Sequence, residues 1–483
     1  MAGAHQIEAL PTSARLQLLV KRLDALYDTE RAFVGLYGSS PNAFWLDSSA
    51  VGERARFSFI GDSEGALGAV ISYDVDAGQV RVERGGEVEL LEESIFDYLA
   101  RELRRLRRLS AELPFDFDCG FAGYFGYELK ADCDGDATHR AAIPDASFVF
   151  ADRLIAFDHE QRHTYLLSLA TPRSFSEAER WIEETRLRLE SLPSLLGVEP
   201  DRSAPAEFRL HRPRERYLDD IAACKRHLEA GHSYEVCLTN RAIADFAPEP
   251  LSLYRGLRRA NPAPFAAFLR FGDVAVLSSS PERFLRIGRD GWVEARPIKG
   301  TSHRGETPEE DARLAMELGA DEKSRAENVT IVDLLRNDLG RVCEFGTVTV
   351  PELMQVETYE TVHQLVSSVR GRLRGELGPL DCVRACFPPG SMTGAPKQRT
   401  MEIIDELEGE ARGVYSGAIG FLGLSGGCDL SVAIRAIVTD GETTTIGAGG
   451  AIVIESDPAE EFREMLLKAG APLAAIVVGQ LSQ

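Results

Sequence analysis

A chain of 483 residues with 44% hydrophobic and 27% charged side chains can bury a large core and has an ordinary globular composition, which excludes disordered and fibrous classes. Its formal net charge of −22 at pH 7 argues against nonspecific binding to nucleic acid or to an anionic membrane, since either needs a basic face. An anionic small substrate would have to be met by locally gathered basic groups or by a metal.

In chain order, Leu16, Leu18, Leu19, Leu23 and Leu26 recur at near-helical spacing and predict a helix over residues 14–27. The stretch from Phe33 to Leu46, broken by Gly35, Gly38 and Pro41, reads as strand-like, and short strands are predicted over 56–60, 70–73 and 80–82. Residues 94–109 place Ile95, Tyr98, Leu99, Leu103 and Leu106 on one side of a helix, leaving the arginines between Arg101 and Arg108 for a solvated face. Periodicity fades between Ser191 and Pro213, where Pro193, Gly197, Pro200 and Pro205 punctuate the chain, so the division into 10–205 and 206–483 is placed there. A helix from Tyr217 to Ala230 then closes at Gly231 and feeds a strand over 233–242, followed by strands near 265–270, 274–278 and 284–287. Strands and helices come in runs, which predicts an α+β class with largely antiparallel sheets.

The N-terminus lacks a basic segment followed by an apolar run, and no stretch nears the ~18 apolar residues of a spanning helix, so a cytoplasmic location is expected. Cys119, Cys133, Cys224, Cys237, Cys343, Cys382, Cys386 and Cys428 form no Cys-x-x-Cys pair and read as reduced thiols.

The strands lead to Pro297-Ile298-Lys299-Gly300-Thr301, a lysine between a rigid proline entry and a glycine exit. It is either a solvated charge or a nucleophile. A nucleophile must be neutral, and a reference pKa of ~10.4 leaves on the order of 0.1% neutral near pH ~7.4. Burial or neighbouring cations would have to lower that pKa by ~3 units, worth about 4 kcal/mol.

Carboxylates nearby in the sequence make the second reading worth pursuing. Glu282 sits between two apolar strands, where it either enters a cleft or pairs with Arg283. Glu327 lies near the start of a predicted helix running through Arg336. Glu461, Glu464 and Lys468 are offset by three and four residues and share a helix face, as either a surface salt-bridge ladder or part of a ligand site. Just upstream, Gly447-Ala448-Gly449-Gly450 is a turn-capable segment whose amides can approach an anion. Magnesium suits such carboxylates, and a dicarboxylate substrate would be gripped by the metal at one end and by Arg435, Lys468 and glycine amides at the other. The segment Gly390 to Lys397 lacks phosphate-loop spacing, and Pro396 removes an amide such a loop would use. No glutaminase-type Gly-x-Cys-x-Gly turn occurs, so hydrolysis of glutamine by this chain is not expected.

Taken together, Tyr217 to Ala475 resembles the chorismate-utilising enzymes, through Ile331-Val332-Asp333-Leu334-Leu335-Arg336-Asn337-Asp338-Leu339-Gly340-Arg341, Gly390 to Lys397 and Gly447 to Lys468. The first half resembles the family more loosely, through Phe44-Trp45-Leu46-Asp47-Ser48, Arg56-Phe57-Ser58 and Gly120 to Tyr127. The resemblance implies a large two-layer body of mainly antiparallel sheets with surrounding helices, of anthranilate synthase component I type, with an amino-terminal domain at 10–205 and a chorismate-binding catalytic domain at 206–483. It implies Mg2+ held by Glu327 and Glu464 with Glu461 nearby, and Glu282 as general acid and later base. Thr301, Tyr415, Arg435, Gly449, Gly450 and Lys468 match positions that hold the substrate.

Within the family, ortho-aminating members usually carry alanine where this chain has Lys299, whereas para-aminating members carry lysine and use it covalently. Water-using members keep a base lysine on an earlier strand; its place falls near Val236, and that lysine is missing. The implied reaction is amination of chorismate to 4-amino-4-deoxychorismate, on the route to 4-aminobenzoate and folate, with ammonia from a separate glutamine amidotransferase. The alternatives are anthranilate synthase component I and a noncatalytic ligand-binding subunit of the same fold. Two departures stand out: Gln364 follows His363 where relatives often have histidine before the leucine, and the effector positions of tryptophan-binding relatives, matching Ser48, Arg56, Phe57, Ser58, Pro264, Phe265 and Ala266, are only partly alike.

Overall fold

Continuous apolar runs such as Gly120–Phe125 and Ala146–Ala151 are buried at every position, as expected of strands covered on both faces. They belong to a computed structural model that describes residues 16–50, 55–107, 112–195, 207–359, 362–476 and 481–482. Among the described residues one sheet has 13 strands and a second has 12. Their pairings are antiparallel except that of Phe208–Leu210 with Leu481–Ser482. The predicted two-layer α+β body is therefore present.

The sheets share one apolar layer, in which the Phe421 ring stacks on Phe117 at 4.6 Å and meets Phe59 edge-on at 5.6 Å. A second cluster on the other face of the first sheet, containing Phe33, Trp45, Tyr217, Tyr254 and Met465, is closed by the helices Thr29–Tyr37, Arg214–Glu229, Pro250–Ala260 and Pro458–Ile476. Both halves of the chain build both sheets: Asn42–Asp47 pairs with Phe265–Phe271, and Gly120–Phe125 with Ala418–Gly423. The division expected at 205/206 lies outside the described residues.

Two early expectations are corrected. The leucines predicted as a helix over 14–27 form the strand Gln17–Leu23 at the end of the first sheet, with Gln17 opposite Ala170 and Leu23 opposite Thr164; residues 14 and 15 lie outside the described residues. Long-range pairing overrides a local spacing that suits either element. The strand-like reading from Phe33 is a helix, Thr29–Tyr37, because the Asp28 carboxylate accepts the Arg31 backbone N–H at 2.7 Å and caps it. The strand begins only at Asn42.

Elsewhere the predicted elements appear with shifted ends. The helix Ile95–Leu106 starts at its Ser94 cap, and the predicted end at 108–109 lies outside the described residues. Gly231, with φ of +72°, follows the helix Arg214–Glu229. The eight cysteines are free thiols, and no helix among the described residues is long and apolar enough to cross a membrane. For the site, the decisive feature is the crossing at Pro281-Glu282, where the chain leaves Val274–Ser280 in the first sheet and enters Arg283–Ile287 in the second.

Candidate active site

Lys299 is aimed inward by a β-bulge. Ile298 pairs with Val366 and Thr301 with Gln364, so Lys299 and Gly300 together oppose Leu365. Gly300 has φ of +89°, and a Cβ there would lie 2.6 Å from Ser324 Oγ. Glycine lets the strand turn this tightly against the helix Glu322–Gly340. The result is a lysine only 8% exposed, whose Nζ donates to Glu235 Oε1 at 2.5 Å. Glu235 opens the strand Glu235–Ala244 opposite Ala395. Beside it Gly394, with φ of +147°, allows a backbone approach that a Cβ, 1.9 Å from the Glu235 carbonyl oxygen, would forbid.

Burial works against the Lys299 ammonium, but Glu235 and then Glu327 outweigh it and raise the pKa above its ordinary value. This reverses the lowering expected of a nucleophilic lysine. The carboxylate of Glu235, passed over in the sequence, holds the proton on.

Glu282 is also buried, and Arg283 does not pair with it, donating instead to Asp429 at 2.9 and 3.0 Å. Burial pushes the Glu282 carboxyl up to about 7, against the opposing pull of Ser391 and of the Lys299 charge. Glu327 is likewise pushed up to about 7 by burial, with Lys299 opposing and the Glu235 charge adding to the rise. Two acids, Glu282 buried and Glu327 with 11% of its side chain exposed, are thus both pushed toward neutrality beside one amine.

The helix Pro458–Ile476 supplies the opposite wall. Lys468 Nζ donates to Glu464 Oε1 at 2.6 Å and to the Gly449 carbonyl at 3.0 Å. Burial disfavours the Glu464 carboxylate, yet Lys468, followed by Lys323 and Lys299, holds its pKa below the ordinary value. Glu461 Oε1 accepts from Lys323 Nζ at 2.7 Å and from Ser456 Oγ at 2.6 Å, while its Oε2 is buried without a partner. Lys323 also reaches to 3.8 Å from Glu327 Oε1.

Among the described residues no three His, Cys, Asp or Glu side chains are already gathered to hold an ion, and Lys323 bridges Glu327 and Glu461 instead. The donors nevertheless fit magnesium in kind. A Cβ at Gly450 would lie 3.3 Å from Glu461 Oε2 and 3.7 Å from Glu464 Oε1, so both carboxylates border the space that this glycine leaves open. Glu461 Oε2 is the unsatisfied oxygen a hard cation would complete.

Gly447 to Gly450 lie within the strand Thr444–Ile452 rather than in a turn. The Tyr415 ring covers Gly447, where a Cβ would lie 2.2 Å from ring atom Cγ. Arg435 Nη1 donates to the Lys468 carbonyl at 3.2 Å, and burial lowers the Arg435 pKa while Tyr415 and Glu464 oppose the shift. Thr301 and Arg435 line one cavity of about 850 Å³ together with Pro281 and Gln364. Strand alternation turns His363 the other way: Nε2 meets Asp311 Oδ1 at 2.9 Å and Nδ1 meets Thr358 Oγ1 at 2.8 Å.

The candidate effector residues Ser48, Arg56, Phe57, Pro264, Phe265 and Ala266 border an adjoining cavity of about 480 Å³, which shares Ala55, Pro264, Phe265, Arg283 and Arg296 with the first. Ser58 stands behind its wall, where Oγ accepts from the Ser48 backbone N–H at 3.0 Å and lies 2.7 Å from His159 Nε2. Lys397 in the Gly390 segment donates to Asp338 at 2.6 Å and to the Cys386 carbonyl at 2.7 Å, which makes it a structural tie. The sequence reading missed Glu235, Lys323 and Ser391. An acid opening an otherwise apolar strand was the available signal for the first.

In a body of two large sheets, the buried Lys299 thus stands among the carboxylates of Glu235, Glu282, Glu327 and Glu464. The sequence profile of the chorismate binding enzyme family matches residues 53–474, and the chain belongs to that family. It is 50% identical over 475 residues to a Streptomyces griseus protein named aminodeoxychorismate synthase, covering 96% of this chain and 65% of that one. The chain thus spans just under two thirds of that relative's length. It is 37% identical over 470 residues to anthranilate synthase component 1 of Streptomyces coelicolor, covering 94% of this chain and 87% of the relative. The crystal structure of anthranilate synthase component I from Streptococcus pneumoniae TIGR4 matches with a TM-score of 0.73 at 29% identity, covering 87% of this chain and 93% of that one.

Proposed function

We propose that this chain aminates chorismate to 4-amino-4-deoxychorismate, on the route to 4-aminobenzoate and folate, using ammonia from a partner glutamine amidotransferase in the cytoplasm. The observation that carries the reading is Lys299, buried beside Glu282 and Glu327 in a chain more similar to the relative named aminodeoxychorismate synthase, at 50%, than to the anthranilate synthase component at 37%. The chorismate-binding body would be 206–483, with 10–205 as its amino-terminal domain.

In this proposal a chain of net charge −22 draws in a dianion because Lys299, Lys323, Lys468 and Arg435 gather at one place. Thr301 and Arg435, which line the cavity of about 850 Å³, would hold the substrate together with Tyr415, Lys468 and the amides of Gly449 and Gly450, while Tyr415 and Gly447 also line a different cavity of about 520 Å³. Glu327, Glu464 and Glu461 would hold Mg2+, which when bound supplies positive charge to the ring carboxylate and favours loss of the ring hydroxyl. Lys299 adds at C2 while Glu282, pushed up to about 7, gives its proton to the hydroxyl leaving C4. Ammonia then attacks C4 and expels the lysine, and Glu282 takes back a proton. Two displacements place the amino group para to the ring carboxylate. Gln364 facing the cavity leaves no histidine at that point of the wall. The smaller cavity at Ser48, Arg56, Phe57 and Phe265 would take an effector of the tryptophan type.

Incubating the chain with chorismate, magnesium and an ammonium salt should yield a para-amino product that retains the enolpyruvyl group. An ortho-amino, pyruvate-releasing product would replace this reading with the anthranilate one. No turnover would favour a noncatalytic subunit.

A further inference from the structure

We infer that Glu235 is the catalytic residue that takes the proton from Lys299 as its nitrogen attacks the ring and returns it as the nitrogen leaves. The inference rests on the proposed nucleophilic role of Lys299 and supplies the proton acceptor that role lacks. Lys299 Nζ and Glu235 Oε1 are 2.5 Å apart, with side chains 9% and 1% exposed. The other carboxylate oxygen, Oε2, is buried with no hydrogen-bond partner among the described residues.

Most buried side-chain oxygens have a hydrogen-bond partner, although Asp145 and Asp152, away from this site, each leave one oxygen without one among the described residues. Glu408, at the end of the helix Lys397–Glu408, is fully satisfied. Its Oε1 accepts from the Thr239 N–H at 2.7 Å, Thr239 Oγ1 at 3.0 Å and Arg412 Nη2 at 2.7 Å, and its Oε2 from Arg412 Nε at 2.8 Å. Among the described residues the Glu235 side chain is held by one hydrogen bond, to the atom that is to lose a proton. Its backbone, by contrast, is fixed: the carbonyl accepts from Ser233 Oγ at 2.9 Å and the strand pairs with Ala395. The side chain can change charge without moving the strand.

The other groups around the amine are otherwise engaged. Glu235, Glu327 and Cys237 face Lys299, and Glu282 and Glu464 respond to its charge. Glu327 and Glu464 belong to the proposed metal end, Glu282 is needed at the ring hydroxyl, and burial pushes the Cys237 thiol up, so that it stays protonated and is not available as an acceptor. Glu235 remains.

The protons balance. In the first displacement the N–C2 bond forms, the ring double bonds shift and the C4–O bond breaks; the Lys299 proton passes to Glu235, and the Glu282 proton leaves with the hydroxyl as water. In the second, the ammonia N–C4 bond forms and the C2–N bond breaks. Glu235 then returns its proton to Lys299, and Glu282 takes one from the new ammonium. Both carboxyl groups end as they began.

The test uses the full chain with chorismate, magnesium and ammonium chloride. Glu235→Gln should lower kcat for the para-amino product about 100-fold at neutral pH, with KM changed less than about threefold, as expected for loss of a positioned base. Below pH about 7, where Glu282 is still protonated, its remaining rate should climb with pH more steeply than that of the wild type, because solvent base must now remove the lysine proton. Glu235→Asp, which keeps the acid one methylene further back, should recover about tenfold of the loss; it serves alone if the glutamine variant does not fold. A glutamine variant with wild-type kcat, or one whose loss lies wholly in KM with an unshifted pH profile, would overturn the inference, as would an aspartate variant no better than glutamine. If the wild-type chain forms no para-amino product, the proposed function fails first; if it does and these variants behave as wild type, only the role of Glu235 fails.

Discussion

Around the cavity of about 480 Å³ the arginines find carboxylates: Arg283 meets Asp429 at 2.9 Å, Arg296 meets Glu352 at 2.9 Å and Arg286 meets Asp116 at 3.0 Å. The lysine pocket, built across the same two sheets, is balanced differently. Glu282 and Glu327 are both pushed up to about 7, and one oxygen of Glu235 and one of Glu461 are buried without partners. A cavity whose charges are already paired can hold a ligand by shape and leave the fold undisturbed. A cavity with mismatched, buried acids carries a cost that is relieved only when protons, cations or substrate arrive, which is the setting in which pKa values are tuned for proton transfer.

Changes in the lysine pocket should therefore act on chemistry, and changes in the paired cavity should not. The largest effect among the acids is expected for Glu282→Gln, which should cut kcat by about 10²- to 10⁴-fold while chorismate still binds. In the wild type, Glu282 must be protonated for the first displacement, so the rate should fall as pH rises through about 7. A steady-state pH profile checks both, since the glutamine variant should lack that limb. Glu461→Gln should come next, raising the magnesium needed for half-maximal rate on the order of 10- to 100-fold, read by metal titration. Smallest of all, Phe57→Ala in the paired cavity should leave turnover within about twofold, as for changes remote from the reacting groups. A large loss there would mean that the two cavities are not separate in function.

How far these features were legible in the sequence depends on how local their causes are. Glu461, Glu464 and Lys468 are set by helix spacing alone, and the helix Pro458–Ile476 brings them to one face as predicted. The inward turn of Lys299 needed more: its strand had to pair with Val362–Arg372 in a register that leaves two residues against one, and no local pattern announces a bulge. Glu235 meets Lys299 across 64 positions of sequence, through strands in different sheets, and it was legible only as an acid out of place. The leucines near the N-terminus failed for a related reason. Their partner strand, His163–Ala170, lies far along the chain, and only that pairing decides between strand and helix. The Asp28 cap of the helix Thr29–Tyr37, by contrast, was a local signal in plain view.

The central claim, that Lys299 bonds to the substrate ring, is tested most directly by mass spectrometry of the chain after incubation with chorismate and magnesium in the absence of ammonia. The Lys299 peptide should gain the mass of chorismic acid less one water, and ammonium should discharge it as the para-amino product. Formation of that product at an undiminished rate by Lys299→Ala, or by wild type with no mass ever found on Lys299, would contradict the account.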